Sequence, residues 1–119
     1  MVGLAGLDNI ASCVGDTLDM EVLGDLMETG VWRGGSCTLM KALLAEYESC
    51  NASSEKPFPA NRHVWMVDSF QGLPPASHPD DRPVGRLSNE PYLAVLENVV
   101  RDNFRRYGLL DERVLFVKG

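Results

Sequence analysis

The chain has 119 residues and a mass of 13.1 kDa, the size of one domain with one hydrophobic core. Hydrophobic residues make up 45% and charged residues 24%, an ordinary globular composition that argues against disorder or a fibrous repeat. With 11 Lys plus Arg against 17 Asp plus Glu the net charge is −6, and a nucleic-acid partner would call for a basic surface instead.

Leu7, Ile10, Ala11, Val14 and Leu18 recur at helical spacing and predict a first helix over residues 7–19. Gly24 interrupts the pattern, and Asp25–Thr29 predicts a short strand between glycines. Gly30-Val31-Trp32-Arg33-Gly34-Gly35 is a glycine-bearing loop, and Ser36 is placed to start a helix whose apolar face runs from Leu39 to Tyr47. Residues 49–62 are polar and proline-containing and predict a surface loop. His63–Asp68 is an almost continuous apolar run ending on an acid, as in a parallel-sheet strand buried on both faces. Residues 71–89, with Pro74, Pro75, Pro79 and Pro83, are longer than loops usually run and read as a lid-like loop or an insertion. Pro91 suits the first turn of a third helix, with Leu93, Leu96, Val100, Phe104 and Tyr107 on one face and Gly108 as its left-handed cap. Arg113–Val117 predicts a third strand. Strands separated by helices imply a parallel α/β sheet with right-handed crossovers.

The informative segment is Glu28–Ser36. A glycine loop between a strand and a helix brings backbone N–H groups and the positive helix end close to an anionic ligand. Gly30 and Gly35 have Walker A spacing, but Ser36 stands at the lysine position. A dinucleotide fingerprint wants glycine where this chain has Trp32, and Thr38 breaks a G-x-S-x-G elbow. What remains is an acid ending each of the first two strands, with a glycine turn between them. Glu28 suits an ammonium, the Gly34–Ser36 amides a carboxylate, and Asp68 two ribose hydroxyls, because a carboxylate offers two acceptor oxygens. S-adenosylmethionine has all of these parts and no phosphate.

Gly24-Asp25-Leu26-Met27-Glu28-Thr29-Gly30-Val31-Trp32-Arg33-Gly34-Gly35 closely resembles the signature of the macrocin O-methyltransferase (TylF-type) family. Val67–Pro74 resembles its second block, and Asn103–Leu110 with Val114–Gly119 its third. The resemblance runs from about Leu7 to the last residue, apart from the 49–61 loop and variation over 75–90. It implies a Rossmann-like class I methyltransferase fold, truncated after the third parallel strand, with strand order 3-2-1. Residues 1–119 would then be the N-terminal, cofactor-binding half of the domain. The implied activity is magnesium-requiring methyl transfer from S-adenosylmethionine to a hydroxyl, most often on a sugar of a natural product. By the same resemblance, Glu28, Thr29 and Gly30 contact the methionine end of the cofactor, and Gly34, Gly35 and Ser36 its carboxylate. Asp68 holds the ribose, and Ser69 and Phe70 lie beside the nucleoside. The family's metal-binding aspartates and catalytic base lie beyond the third strand, so no catalytic or metal residue of this sequence is assigned, and little activity is expected of it alone.

Other readings stay open beside that one. The chain can be a non-catalytic truncated remnant that binds S-adenosylmethionine weakly or serves as an interaction module, self-associating through the open edge of the first strand, or a different nucleoside binder. Trp32 and Trp65 read first as packing residues. Arg33 reaches a substrate or lies in solvent. Arg101, Arg105, Arg106 and Arg113 read as a solvated helix face, and Cys37 as a small buried hydrophobe rather than a thiolate. His63 and His78 lack the neighbours of a metal site. Cys13, Cys37 and Cys50 are too few and too scattered for a disulfide scaffold or a zinc site. No run approaches the ~18 apolar residues of a membrane span, and Met1–Leu7 lack the basic residues of a secretory signal, so a cytoplasmic protein without a membrane partner is expected.

Overall fold

The computed structural model describes residues 2–52, 61–75, 77, 78, 80, 87, 88 and 90–119. Helix α1 (Leu4–Asp19) leads to strand β1 (Leu26–Thr29), helix α2 (Gly35–Asn51) and strand β2 (Val64–Asp68). A 3₁₀ turn at Pro91–Leu93, helix α3 (Glu97–Arg106) and strand β3 (Val114–Lys118) follow. The sheet is parallel with β2 in the middle, the expected order 3-2-1. Residues Leu26, Val64 and Val114 align across it, as do Glu28, Met66 and Phe116.

That register puts one face of the sheet against the core. Val64 and Met66 are fully buried, and Leu18, Cys37, Leu44, Val100 and Phe104 from the helices pack with them. Each large apolar side chain so buried contributes about 1.5–3 kcal/mol. The opposite face is only partly covered: Met27 is 60% exposed and Val117 39%. β2 therefore alternates between buried and half-buried residues, where the sequence predicted burial on both faces.

Three element boundaries differ from expectation. α1 begins at Leu4 rather than Leu7, and α2 continues to Asn51, into the predicted 49–62 loop. Of that loop, residues 53–60 lie outside the described residues, as do 76, 79, 81–86 and 89 of the 71–89 stretch. The third predicted helix starts late. Pro91–Leu93 forms a separate turn, and Leu96 is the extended N-cap of α3. Leu96 is accordingly 60% exposed and Tyr107 72%, leaving Val100 and Phe104 as the buried face of α3. Tertiary contacts of the 91–95 segment override the helical spacing there.

The end of α3 does follow its sequence signal. Gly108 adopts φ 67, its N–H donates to the Arg105 carbonyl at 3.0 Å, and the Leu109 N–H donates to the Phe104 carbonyl at 3.0 Å. This Schellman arrangement turns Leu109 and Leu110 back onto the core.

α2 starts differently from expectation. Its N-cap is Gly34 at φ 76, and Ser36 sits inside the first turn, 8% exposed. A Cβ on Gly34 would lie 2.6 Å from Val100 Cγ1, so glycine serves both the turn and the close approach of α3. Gly34→Ala is expected to destabilise the chain by about 2–4 kcal/mol, from left-handed strain plus overpacking. Urea unfolding measures this, and a loss below ~1 kcal/mol would show that α3 yields without strain.

Two polar ties brace the sheet. Asp25 accepts the His63 N–H and the Trp65 indole N–H, each at 2.9 Å. The amide bond from His63, then the indole, holds its carboxyl below the usual range. Between α2 and the segment before β3, the buried Lys41 donates to Asp111 at 2.8 Å, and Arg113 bonds Glu48 at 2.6 Å.

Candidate functional site

The crossovers bring the C-terminal ends of β1 and β2 together, where ligands of open α/β sheets sit. A cleft of ≈ 380 Å³ opens there, lined by Gly30, Trp32, Asp68, Ser69, Gly72, Leu73, Pro74 and Leu93. That volume suits a small molecule. A larger groove of ≈ 490 Å³ involves α2 and the end of α3, and carries Arg33 and Arg106 but no acid. Of these two, the cleft at the strand ends is the better candidate, because it contains Asp68, an acid that terminates a strand.

Asp68 organises this cleft. Its Oδ2 accepts the Val31 N–H at 2.6 Å and the Trp32 N–H at 3.3 Å, and its Oδ1 accepts the Phe70 N–H at 2.8 Å. One carboxylate thus joins the glycine loop to the turn after β2. Oδ1 has a single donor among the described residues, which leaves it acceptor capacity for a ligand hydroxyl.

The other predicted site residues are distributed around it. Gly30 and Ser69 line the cleft, and Thr29 is exposed at the end of β1. Glu28 turns toward the first turn of α2, where its Oε2 accepts the Cys37 thiol at 2.7 Å. Burial, then Glu28, pushes the Cys37 thiol well above its ordinary value, so it stays a protonated donor. The Gly34 N–H is already used, donating to the Val31 carbonyl at 2.9 Å, whereas the Gly35 and Ser36 amides open the helix. The Phe70 side chain is 3% exposed and packs on Phe116, ring centroids 6.1 Å apart, so only its backbone faces the turn.

Trp32, Gly72, Leu73, Pro74 and Leu93 line the cleft without having been singled out as site residues. Leu73 and Pro74 lie within the second quoted block, but Leu93 carried no signal beyond its apolar character. Arg33 is exposed, with its guanidinium 5.0 Å from the Trp32 ring centroid. The arginines near α3 do not form one patch: Arg101 pairs with Glu97, Arg105 with Asp102 and Arg113 with Glu48. Among the described residues no three His, Cys, Asp or Glu side chains group as metal ligands would, and no helix is long and apolar enough to cross a membrane.

The sequence profile of the macrocin O-methyltransferase (TylF) family matches residues 1–119. The chain belongs to that family. It is 43% identical to demethyldecarbamoylnovobiocin O-methyltransferase of Streptomyces niveus over 122 residues, which take in 100% of this chain and 43% of that protein. Identity is 44% to 8-demethyl-8-(2,3-dimethoxy-alpha-L-rhamnosyl)-tetracenomycin-C 4'-O-methyltransferase of Streptomyces olivaceus, again over 100% of this chain and 43% of that protein. The solved structure of the O-methyltransferase NovP superposes with a TM-score of 0.84 at 42% identity, covering 98% of this chain and 46% of that one. This chain therefore spans less than half the length of the relatives it matches. As a TylF-family chain it has the Rossmann-like α/β fold that its three parallel strands display.

Proposed function

We propose that this chain is the cofactor-binding, N-terminal half of an S-adenosylmethionine-dependent O-methyltransferase acting on a hydroxyl of a small natural product. The observation that carries the reading is Asp68, which ends β2, lines the cleft and touches the glycine loop of a TylF-family chain. Asp68 Oδ1 accepts from the ribose, Leu73, Pro74 and Leu93 flank the nucleoside, and Glu28 with the Gly35 and Ser36 amides receives the methionine end. Two acids near the cleft favour a ligand bearing an ammonium and a sulfonium over one bearing phosphates. The bound cofactor supplies an electrophilic methyl group, and this chain's residues bind and orient it.

A sugar hydroxyl is the preferred acceptor, since one relative is named for acting at a rhamnosyl 4'-oxygen. Magnesium belongs to this proposal only through the family, and no ligand for it is assigned here. The half-covered sheet and the terminal position of β1 fit a longer fold, in which a further strand pairs along β1 and helices cover Met27 and Val117.

Calorimetry tests the reading. The chain is expected to bind S-adenosylmethionine with a micromolar Kd. Glu28→Gln should weaken that binding about tenfold, the loss of one charge-assisted contact. Binding of methylthioadenosine, which lacks the amino-acid end, should be unchanged. Absence of heat at millimolar S-adenosylmethionine would sink the proposal.

A further inference from the structure

The glycine loop contains a residue that local chemistry disfavours in its place. Trp32 adopts φ 47, in the left-handed region that bulky side chains avoid. Such a conformation persists only when its surroundings over-determine it. Here distant segments do so. The Trp32 N–H donates to Asp68 Oδ2 at 3.3 Å, and its indole Nε1–H donates to the Tyr92 carbonyl at 2.8 Å. The next carbonyl, of Arg33, accepts the Asn103 side-chain N–H at 3.0 Å.

Among the described residues, the backbone hydrogen bonds of the segment that receives the indole are local, while Val95 packs against the core. Pro91–Leu93 is one 3₁₀ turn, and the Ala94 and Val95 N–H groups donate to the Pro91 and Leu93 carbonyls respectively. From the other side Gly72 backs directly onto Ala94, where a Cβ would lie 3.2 Å from the Ala94 Cβ. Leu93, Gly72 and Trp32 all line the same cleft. One side-chain hydrogen bond therefore joins the glycine loop to the wall formed by residues 91–95.

We infer that Trp32 is a positioning residue for the cleft: its indole N–H latches the wall segment Pro91–Val95 to the glycine loop and holds Leu93 against the bound ligand. The identity of that ligand rests on the S-adenosylmethionine reading; the latch does not. Trp32→Phe keeps an aromatic ring and removes only the N–H. In the free chain, hydrogen exchange at the Ala94 and Val95 amides is expected to accelerate about fivefold to tenfold, the loss of one hydrogen bond, with β2 amides unaffected. Trp65→Phe, whose indole serves Asp25 instead, should leave residues 94 and 95 unchanged. Dissociation of S-adenosylmethionine should accelerate by a similar factor in Trp32→Phe. Unchanged exchange at 94 and 95 overturns the latch, and equal acceleration throughout β2 overturns it as well, since Trp32 is then a general stabiliser. Faster exchange with unaltered dissociation overturns the positioning role. Faster exchange in Trp32→Phe, together with a wild-type chain that binds no S-adenosylmethionine, supports the latch and overturns the cofactor reading instead.

Discussion

Asp68→Asn is expected to abolish measurable S-adenosylmethionine binding and, in the same protein, to lower the stability of the free chain by about 2–4 kcal/mol. The two losses share one cause. Trp32 and Phe70 are both non-glycine residues at positive φ, 47 and 54, and both donate their backbone N–H to the Asp68 carboxylate. The carboxylate takes three N–H groups in all, two on Oδ2 and one on Oδ1. An asparagine has one acceptor oxygen, so in either orientation its NH₂ confronts a backbone N–H. One of the two strained residues then loses its restraint, Trp32 or Phe70 according to the orientation, and the turn it holds loses the shape that opens the cleft. Thermal unfolding and calorimetry on one preparation measure the pair of effects. Lost binding at wild-type stability would show that Asp68 serves the ligand alone and that the loop holds its own conformation.

The second large effect lies farther along α2, at Lys41. Asp111→Asn is expected to cost about 3 kcal/mol, on the order of 10 °C in melting temperature, because Lys41, 2% exposed, is left as a buried charge without its carboxylate. Lys41→Met, which keeps the volume and removes the charge, should be near neutral by contrast. The pH dependence separates the pair further. Burial raises the Asp111 carboxyl, but the bond from Lys41 and the Arg113 amide outweigh it and hold the group below its ordinary value. The folded chain thus takes up this proton less readily than the unfolded one. The stability contributed is present above about pH 4, the unfolded value, and is lost as pH falls through the lower folded value. Lys41→Met should flatten that acid limb in pH-dependent unfolding. An Asp111→Asn chain as stable as wild type would mean that water reaches Lys41 and replaces the carboxylate.

Much of this was legible in the residues. Periodic apolar positions placed three helices and three strands in order, and Gly108 marked the end of α3. The glycine loop between Glu28 and Ser36 and the acid ending His63–Asp68 pointed to the strand ends, where the candidate cleft opens. Illegible features were those in which one residue answers to several distant ones. Ser36 has the chemistry of an N-cap, yet Gly34 takes the position because Val100 packs against it. Leu93 and Leu96 have helical spacing, yet the segment bends away where it meets Gly72 and Trp32.

The sequence by itself determined the α/β alternation, the parallel sheet, the family and the segments that line the candidate site, since each depends on local periodicity, turn chemistry or a contiguous motif. Only the tertiary structure decided that Asp68 shapes the glycine loop, that Lys41 is buried on Asp111, and that Trp32 faces the cleft rather than the core. Those outcomes join residues 36, 70 and 60 positions apart. Their energies come from orphan donors and buried charges meeting partners across the fold, and no local pattern encodes such meetings.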